Sequence, residues 1–288
     1  AGQTVPRQDG SRAITRAYLA VDIGGTKLCC GVVTTAGKVV TSDRCATPTV
    51  NVWQAIAQLV DRVRASAGAH ELVACGVGCG GPMSDDGDKV SNLHIKEWNG
   101  FPLRSSLAKQ TGLPTFVDND AKAVVLGEAW CGAAVGHRDV IGMVVSTGVG
   151  GGIICDGRLL DGDSGNAGHI GHVNVVPNGR ECKCGARGCL EAVASGTAIA
   201  QMTGRPAAEA TPEVIAQTGT YVGRAVATVA TLLDLRLAVI CGSVALGFGE
   251  PFFRAAQAEV DRYARIKFVR GVQVRPTGLG ADAPLVGA

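Results

Sequence analysis

Four residues in one short stretch have the types and spacing to hold a metal ion. They are His172, Cys182, Cys184 and Cys189, within GNAGHIGHVNVVPNGRECKCGARGCLE, residues 165–191. Three thiolates and one imidazole complete a tetrahedral zinc shell and leave no position open for a substrate or a reactive water. The expected task of such a site is structural. It would fix a Gly-rich loop with too few apolar residues to form its own core, because metal binding to such a loop contributes folding free energy directly. His169 and Glu191 flank the ligands in sequence, so they and His172 would be held where they can line a polar site.

Three other stretches carry chemistry. Asp22, Gly24, Gly25, Thr26 and Lys27 fall between two apolar runs. The Gly pair lets the backbone pass close to a bound anion with its N–H groups turned outward, Thr26 adds a hydroxyl, and Asp22 offers a carboxylate to a metal ion or its waters. A plain hairpin turn with an incidental Asp is the competing reading. A second such turn holds Ser146, Thr147, Gly148, Val149, Gly150 and Gly151. Two of these turns in two halves of one chain suggest a duplicated architecture that clamps a phosphate chain. Between them lies Asp118-Asn119-Asp120, at a predicted strand-to-helix junction. Asp at such a place is most often an N-cap, but it also suits a general base, and three polar side chains exceed what one cap requires.

The elements that must position these residues follow from periodicity. The strands are predicted at Tyr18–Ile23, Leu28–Val33, Leu72–Cys79, Thr115–Val117, Asp139–Val145, Arg236–Cys241 and Val272–Arg275. Val52, Ile56, Leu59, Val60 and Val63 recur at helical spacing, which predicts a helix over Val50–Ala67. Further helices are expected at the FPLRSSLAKQTG segment, Ala121–Cys131, Leu190–Met202, Pro212–Gln217, Thr220–Asp234 and Pro251–Ala264. Asn92, Trp98 and Asn99 lie in an irregular stretch where they could line a site. Residues 1–17 read as a disordered extension, 18–118 as a smaller N-terminal α/β lobe, and 119–288 as a larger C-terminal α/β lobe containing the zinc loop. The closing GLGADAPLVGA reads as the opening of a helix that is cut short.

Composition excludes several classes. The chain has 288 residues, 46% apolar and 18% charged, with a net charge of +2. That balance supplies a large α/β core and no clustered basic face for nucleic acid. No apolar run approaches the ~20 residues of a membrane span. Eleven Cys fall well below the density of a disulfide scaffold, and those outside the metal cluster sit mostly in apolar runs. They read as buried thiols in a reducing cytoplasm.

Taken together, AVDIGGTK, VDNDAKAVVLGE, VSTGVGGGII, GNAGHIGH, CKCGARGCLEAVASG and ICGSVALG resemble the ROK family of sugar kinases, from about Tyr18 to the C-terminus. The resemblance implies a duplicated ribonuclease-H-like, actin-like ATPase fold, with two lobes around a cleft. Asp120 then looks like the base that deprotonates a sugar hydroxymethyl oxygen, with Asn99, Asn119, His169, His172 and Glu191 as sugar ligands. Gly24, Gly25, Thr26, Lys27, Thr147 and Gly148 resemble the phosphate turns, and Gly242 and Ser243 the adenosine-side turn. Asp22 would orient a Mg²⁺ ion that accompanies ATP, and the zinc stays structural. A homodimer is expected on the same ground, with no nucleic acid or membrane partner. The family also includes sugar-responsive repressors, but these carry an N-terminal DNA-binding domain, for which the stretch ahead of the first strand is too short.

One position departs from the common pattern. Most members, the family's glucokinases among them, have Glu where this chain has His169. A carboxylate accepts from two adjacent hydroxyls, whereas neutral His offers one donor and one acceptor. A donor there suits the carbonyl of an N-acetyl group, and AGHIGH is similar to the bacterial N-acetylmannosamine kinases. The alternative is a glucokinase or broad hexokinase in which His169 merely substitutes. The phosphoryl donor, ATP or polyphosphate, is not distinguished by these motifs.

Overall fold

Two antiparallel hairpins, each tipped by a Gly-containing turn, start the two sheets of the molecule. The structure is a computed structural model that describes residues 15–84, 87–92 and 94–288. In the first half, β1 (Thr15–Ile23), β2 (Lys27–Thr34) and β3 (Val39–Ala46) form an antiparallel meander. Helix α1 (Val52–Ala65) leads to β4 (His70–Cys79), which runs parallel to β1. A two-residue pair, β5 (Lys89–Val90) and β6 (Phe101–Pro102), and helix α2 (Leu103–Thr111) precede β7 (Thr115–Asp118), giving the order β3-β2-β1-β4-β7.

The second half repeats the plan. Helix α3 (Asp120–Cys131) is followed by the hairpin β8 (Val140–Val145) and β9 (Val149–Cys155), with the short β10 (Arg158–Leu159) at its edge. After the metal loop come α4 (Glu191–Ala194), α5 (Gly196–Thr203) and α6 (Pro212–Leu233). Strand β11 (Leu237–Cys241), helices α7 (Ser243–Phe248) and α8 (Glu250–Tyr263), β12 (Gln273–Pro276) and α9 (Ala283–Gly287) complete the chain. The second sheet has the order β10-β9-β8-β11-β12, with β8, β11 and β12 parallel. Each sheet is therefore a three-stranded antiparallel meander extended by two parallel strands, the duplication expected from the paired Gly turns.

Local chemistry explains the elements. The apolar stripe of α1 buries the five residues whose spacing predicted it. Its first amides have no helical acceptor, and the Glu97 carboxylate takes them, from Asn51 N at 2.9 Å and Val52 N at 2.7 Å. Helix α2 stops at Gly112, whose φ of 70° is the left-handed conformation that favours glycine at a helix end.

Helix α3 has no polar face. Ala121, Lys122, Ala123, Val124, Val125, Gly127 and Glu128 are all buried, because the helix lies between the sheets and touches β4, β8, β9 and α9. Glycine makes this approach possible. A Cβ on Gly152 would fall 2.5 Å from the Lys122 Cα and 2.8 Å from the Ala121 carbonyl oxygen; one on Gly142 would fall 2.6 Å from the Val125 Cβ. The two fully buried polar side chains of this helix, Lys122 and Glu128, are both satisfied. The Lys122 ammonium donates to Asp161 Oδ1 at 2.9 Å and the Gly165 carbonyl at 2.8 Å. The Glu128 carboxylate accepts from Ala133 N, Gly278 N and Leu279 N, and from the Thr277 hydroxyl.

Several expectations are corrected. Strand β1 begins at Thr15, so Thr15–Ala17 are ordered backbone rather than extension, paired with Thr34 and with His70–Leu72; residues 1–14 lie outside the described residues. Gly150 and Gly151 are strand, not turn, because the glycines of β9 clear space for α3 and for the segment around Gly168. The helices expected at Pro212–Gln217 and Thr220–Asp234 are one, since Thr218 and Gly219 are buried and continue the apolar face of α6. Trp98 belongs to the core of the first half, stacked on Phe101 at 4.5 Å. The short α9 packs against α3, β1, β2 and β4. The expected lobe boundary falls between β7, the last strand of the first sheet, and α3. Among the described residues no helix is long and apolar enough to cross a membrane.

The clearance at Gly152 has a measurable consequence. Gly152→Ala should lower the urea unfolding midpoint by an amount equivalent to about 2–3 kcal/mol, because backbone on both sides prevents relaxation. Gly247→Ala in α7 meets open space and should be neutral or stabilising by up to ~1 kcal/mol. Equal midpoints for the two variants would refute the seating of α3 on β9.

Candidate active site

The strand order brings the tips of both hairpins to face each other. In the first turn Gly24 N donates to the Lys27 carbonyl at 3.0 Å, and Thr47 pins the turn from outside through Oγ1 to the Gly24 carbonyl at 2.7 Å. In the second, Ser146 N donates to the Gly148 carbonyl at 2.9 Å, and the start of α5 holds the turn through Gly196 N to Ser146 O at 2.7 Å and Thr197 Oγ1 to Thr147 O at 2.9 Å. The hydroxyls of Thr26 and Thr147 stand 3.5 Å apart across the gap. Lys27 is exposed at the start of β2. The third turn joins this side too. Gly242 has φ 103° and sits so close to β8 that a Cβ would fall 2.4 Å from the Val145 carbonyl, and Ser243 Oγ lies 2.9 Å from Ser146 Oγ.

The three polar residues at the β7–α3 junction divide the work. Asp118 Oδ1 accepts from Asn119 N at 2.7 Å and lies 3.6 Å from the Lys122 ammonium. Asn119 is the N-cap, its Oδ1 accepting from Ala121 N at 3.0 Å. Asp120 is the first residue of the helix. Its Oδ1 shares the same Ala121 N–H at 2.9 Å, while Oδ2 has no donor among the described residues. The junction thus contains both a cap and a spare carboxylate, on different residues.

Asp22 and Asp120 are both raised by burial, and the Asp120 charge acts on Asp22. Burial pushes Asp22 up to about 7, with the Asp120 charge adding to the rise and Lys27 opposing it. Burial also raises Asp120, against the Ala121 N–H and the charge of His94. Two desolvated carboxylates near the Gly turns are a donor set that suits a hydrated Mg²⁺, whose charge would relieve both.

The metal loop closes as expected. The ligand atoms of His172, Cys182, Cys184 and Cys189 all lie within 4.8 Å of one another, with His172 Nδ1 to Cys182 Sγ at 3.7 Å and Cys184 Sγ to Cys189 Sγ at 3.7 Å. Those separations are far beyond a disulfide bond of ~2.05 Å. They match the edge of about 3.8 Å of a tetrahedron whose Zn–S bonds are ~2.3 Å. Burial raises Cys182 and Cys189, while the Ala186 N–H lowers Cys184. The loop is bonded to the second turn by Glu191, whose Oε2 accepts from Val149 N at 2.9 Å. The rings of His169 and His172 lie 6.1 Å apart, and desolvation, His172 and Lys122 hold His169 below the usual imidazole range.

Asp22 and Asp120 are thus coupled by charge, Thr26 and Thr147 meet across the turns, and Glu191 lies against the second turn at Gly148 and Val149. Asn99 is not brought into that network: it is exposed after Trp98, with no hydrogen-bond partner among the described residues. Two residues of the site were not legible. Lys122 ties the first turn of α3 to the loop that leads to His169, and nothing in the sequence separates it from a solvated helical lysine. His94 carries no motif, yet the second Gly of the first turn exists to admit it: a Cβ on Gly25 would fall 2.5 Å from the His94 Cβ.

The chain resembles known proteins along most of its length. The chain is 32% identical to a glucokinase of Halalkalibacterium halodurans, over 94% of this chain and 93% of that one. It is 36% identical to an N-acetylmannosamine kinase of Yersinia pseudotuberculosis, over 80% and 84% respectively. A crystal structure of a ROK family glucokinase from Streptomyces griseus, in complex with glucose and AMPPNP, superposes with a TM-score of 0.82 at 31% identity, covering 94% of this chain and 97% of that one. The sequence model of the ROK family matches residues 18–288, and the chain therefore belongs to the ROK family.

Proposed function

We propose that this chain is an ATP-dependent sugar kinase that phosphorylates the 6-hydroxyl of a hexose or N-acetylhexosamine. The observation that carries the reading is the Asp120 carboxylate, with one oxygen free, beside two opposed Gly turns whose threonines stand 3.5 Å apart. Asp120 takes the proton of the acceptor hydroxyl as its oxygen attacks the γ-phosphorus, and the bond to the bridging oxygen of ADP breaks. Little covalent work falls to the protein, so positioning and charge neutralisation dominate. Gly25, Thr26, Thr147 and Gly148 receive the phosphates, with Lys27 beside them and Gly24 shaping the turn, while Gly242 and Ser243 face the adenosine side. Asp22 holds waters of a Mg²⁺ ion, which when bound neutralises phosphate charge. Asn119, His169, His172 and Glu191 surround the sugar.

For the substrate, His169 favours N-acetylmannosamine, because a ring N–H can donate to the N-acetyl carbonyl. Glucose is the second reading, supported by the glucokinases among the relatives. A coupled ADP-release assay across glucose, mannose, N-acetylglucosamine and N-acetylmannosamine discriminates these. The highest kcat/KM is expected on N-acetylmannosamine, and no turnover on any of the four by the zinc-loaded protein would sink the kinase reading. In the same assay Asp120→Asn should keep sugar affinity and lose kcat by about 10²–10⁴-fold, the usual worth of a positioned base. Near-normal turnover would remove Asp120 from that role.

The zinc is structural in this reading, and Cys184→Ala tests it. Bound zinc measured by elemental analysis should fall from one per chain, and the melting temperature and sugar affinity should fall together. Lowered stability with unchanged sugar affinity would separate the loop from the site.

A further inference from the structure

His94 joins the two phosphate turns without belonging to either. Its backbone is fixed from below. Asn92 is buried, its Oδ1 accepts from His94 N at 2.8 Å, and its amide reaches Cys79 Sγ at 3.6 Å at the end of β4. From that anchor the side chain crosses the face of Gly25, where a Cβ would fall 2.5 Å from its Cβ and 2.9 Å from its Cγ. The ring then reaches the opposite turn. A Cβ on Gly148 would fall 3.4 Å from His94 Nε2 and 2.8 Å from Glu191 Oε2, so imidazole and carboxylate converge on one point. His94, Thr147 and Glu191 also line a common cavity of ≈ 50 Å³. The ring nitrogens have no hydrogen-bond partner among the described residues, and the residue is exposed to the cleft.

An imidazole carries at least one N–H donor in either protonation state. Held between two turns that receive phosphate from opposite sides, and close enough to Asp120 for its charge to act there, that donor faces the terminal phosphoryl group and the acceptor rather than the inner phosphates. We propose that His94 is a further catalytic residue, donating a hydrogen bond from Nε2 to the phosphoryl group in transfer. No proton changes hands at His94: Asp120 takes the acceptor proton, and His94 only neutralises charge on the non-bridging oxygens, an interaction that tightens as negative charge develops there. The inference rests on the phosphoryl-transfer reading of the site. It also gives a reason for Gly25 that ligand approach alone does not, since the ring needs the space a side chain would fill.

The test separates the terminal phosphate from the rest of the nucleotide. His94→Ala and His94→Gln are prepared as the full, zinc-loaded chain. AMPPNP and ADP, each with Mg²⁺, are titrated calorimetrically with the sugar that turns over present. For His94→Ala we expect AMPPNP to bind about tenfold more weakly and kcat to fall about 10- to 100-fold, with ADP and sugar affinities within about twofold of wild type. His94→Gln, which keeps a donor, should recover part of both losses. Equal weakening of AMPPNP and ADP would make His94 a general packing residue of the turn. A change in sugar affinity alone would move it to the acceptor, and no change in any of these would leave it a space-filler; each overturns the proposal. Should His94→Ala fail to fold, the Gln variant decides: AMPPNP affinity and kcat as poor as with a donor-less side chain would refute the hydrogen bond. Wild-type protein that neither binds AMPPNP nor turns over would refute the kinase reading itself, and this proposal with it.

Discussion

The molecule is organised by the seating of α3 on glycine. A helix packed closely between two sheets can approach a strand only where the strand presents no side chain, and Gly142 and Gly152 supply that bare track. The approach sets the height of the first turn of α3, and so the place where Asp120 emerges next to Asp22. Polar contacts then tie this helix to the segments that follow. Lys122 joins it to Asp161 and Gly165, ahead of the sugar-side histidines, and Glu128 joins it to the 277–279 segment that leads into α9. Burying an ammonium and a carboxylate is costly unless each is fully bonded, and both are. Their value is therefore in fixing position more than in adding stability.

The metal loop depends on the same frame but serves the other wall of the cleft. Its ligands enclose the metal position and leave Glu191 outside, two residues past Cys189, where it accepts the Val149 N–H. That bond joins the loop to the start of β9, the strand on which α3 sits. A loop that is poor in apolar residues thus gains a fixed relation to the second Gly turn through one carboxylate. In the proposed reading, a metal held by the cluster acts on the site by this route, through the position of Glu191 and of His172, and not through chemistry at the metal.

Much of this was legible because it is written in short-range patterns. The spacing of Val52, Ile56, Leu59, Val60 and Val63 names the buried face of α1, and the Cys and His spacing names four ligands that do converge. What was not legible depends on tertiary approach. Gly150 and Gly151 look like part of a turn because glycine in sequence does not say whether a ligand, a helix or a side chain fills the missing volume. The expected split between the two parts of α6 falls at Thr218 and Gly219, yet Thr218 returns its hydroxyl to the Val214 carbonyl at 2.7 Å and stays buried inside one helix. Asn99 has the type of a sugar ligand, but the neighbouring Trp98 turns into the core and leaves it facing solvent.

The glycines of the two hairpin turns show why motif and geometry must be read together. Neither Gly24 nor Gly25 has a positive φ, so neither is explained by backbone conformation. Gly25 is explained by His94, and Gly148 by His94 and Glu191, whose side-chain atoms occupy the volume a Cβ would need. The turns are therefore not bare backbone cradles. Each carries a side chain from elsewhere in the chain laid across it, one from the irregular stretch after β4 and one from the metal loop. In the proposed reading, a phosphate chain between the turns would meet backbone N–H groups from within each turn, together with an imidazole and a carboxylate from outside. The duplicated halves supply symmetric cradles, and the unduplicated segments supply what makes the site asymmetric enough to hold donor on one side and acceptor on the other.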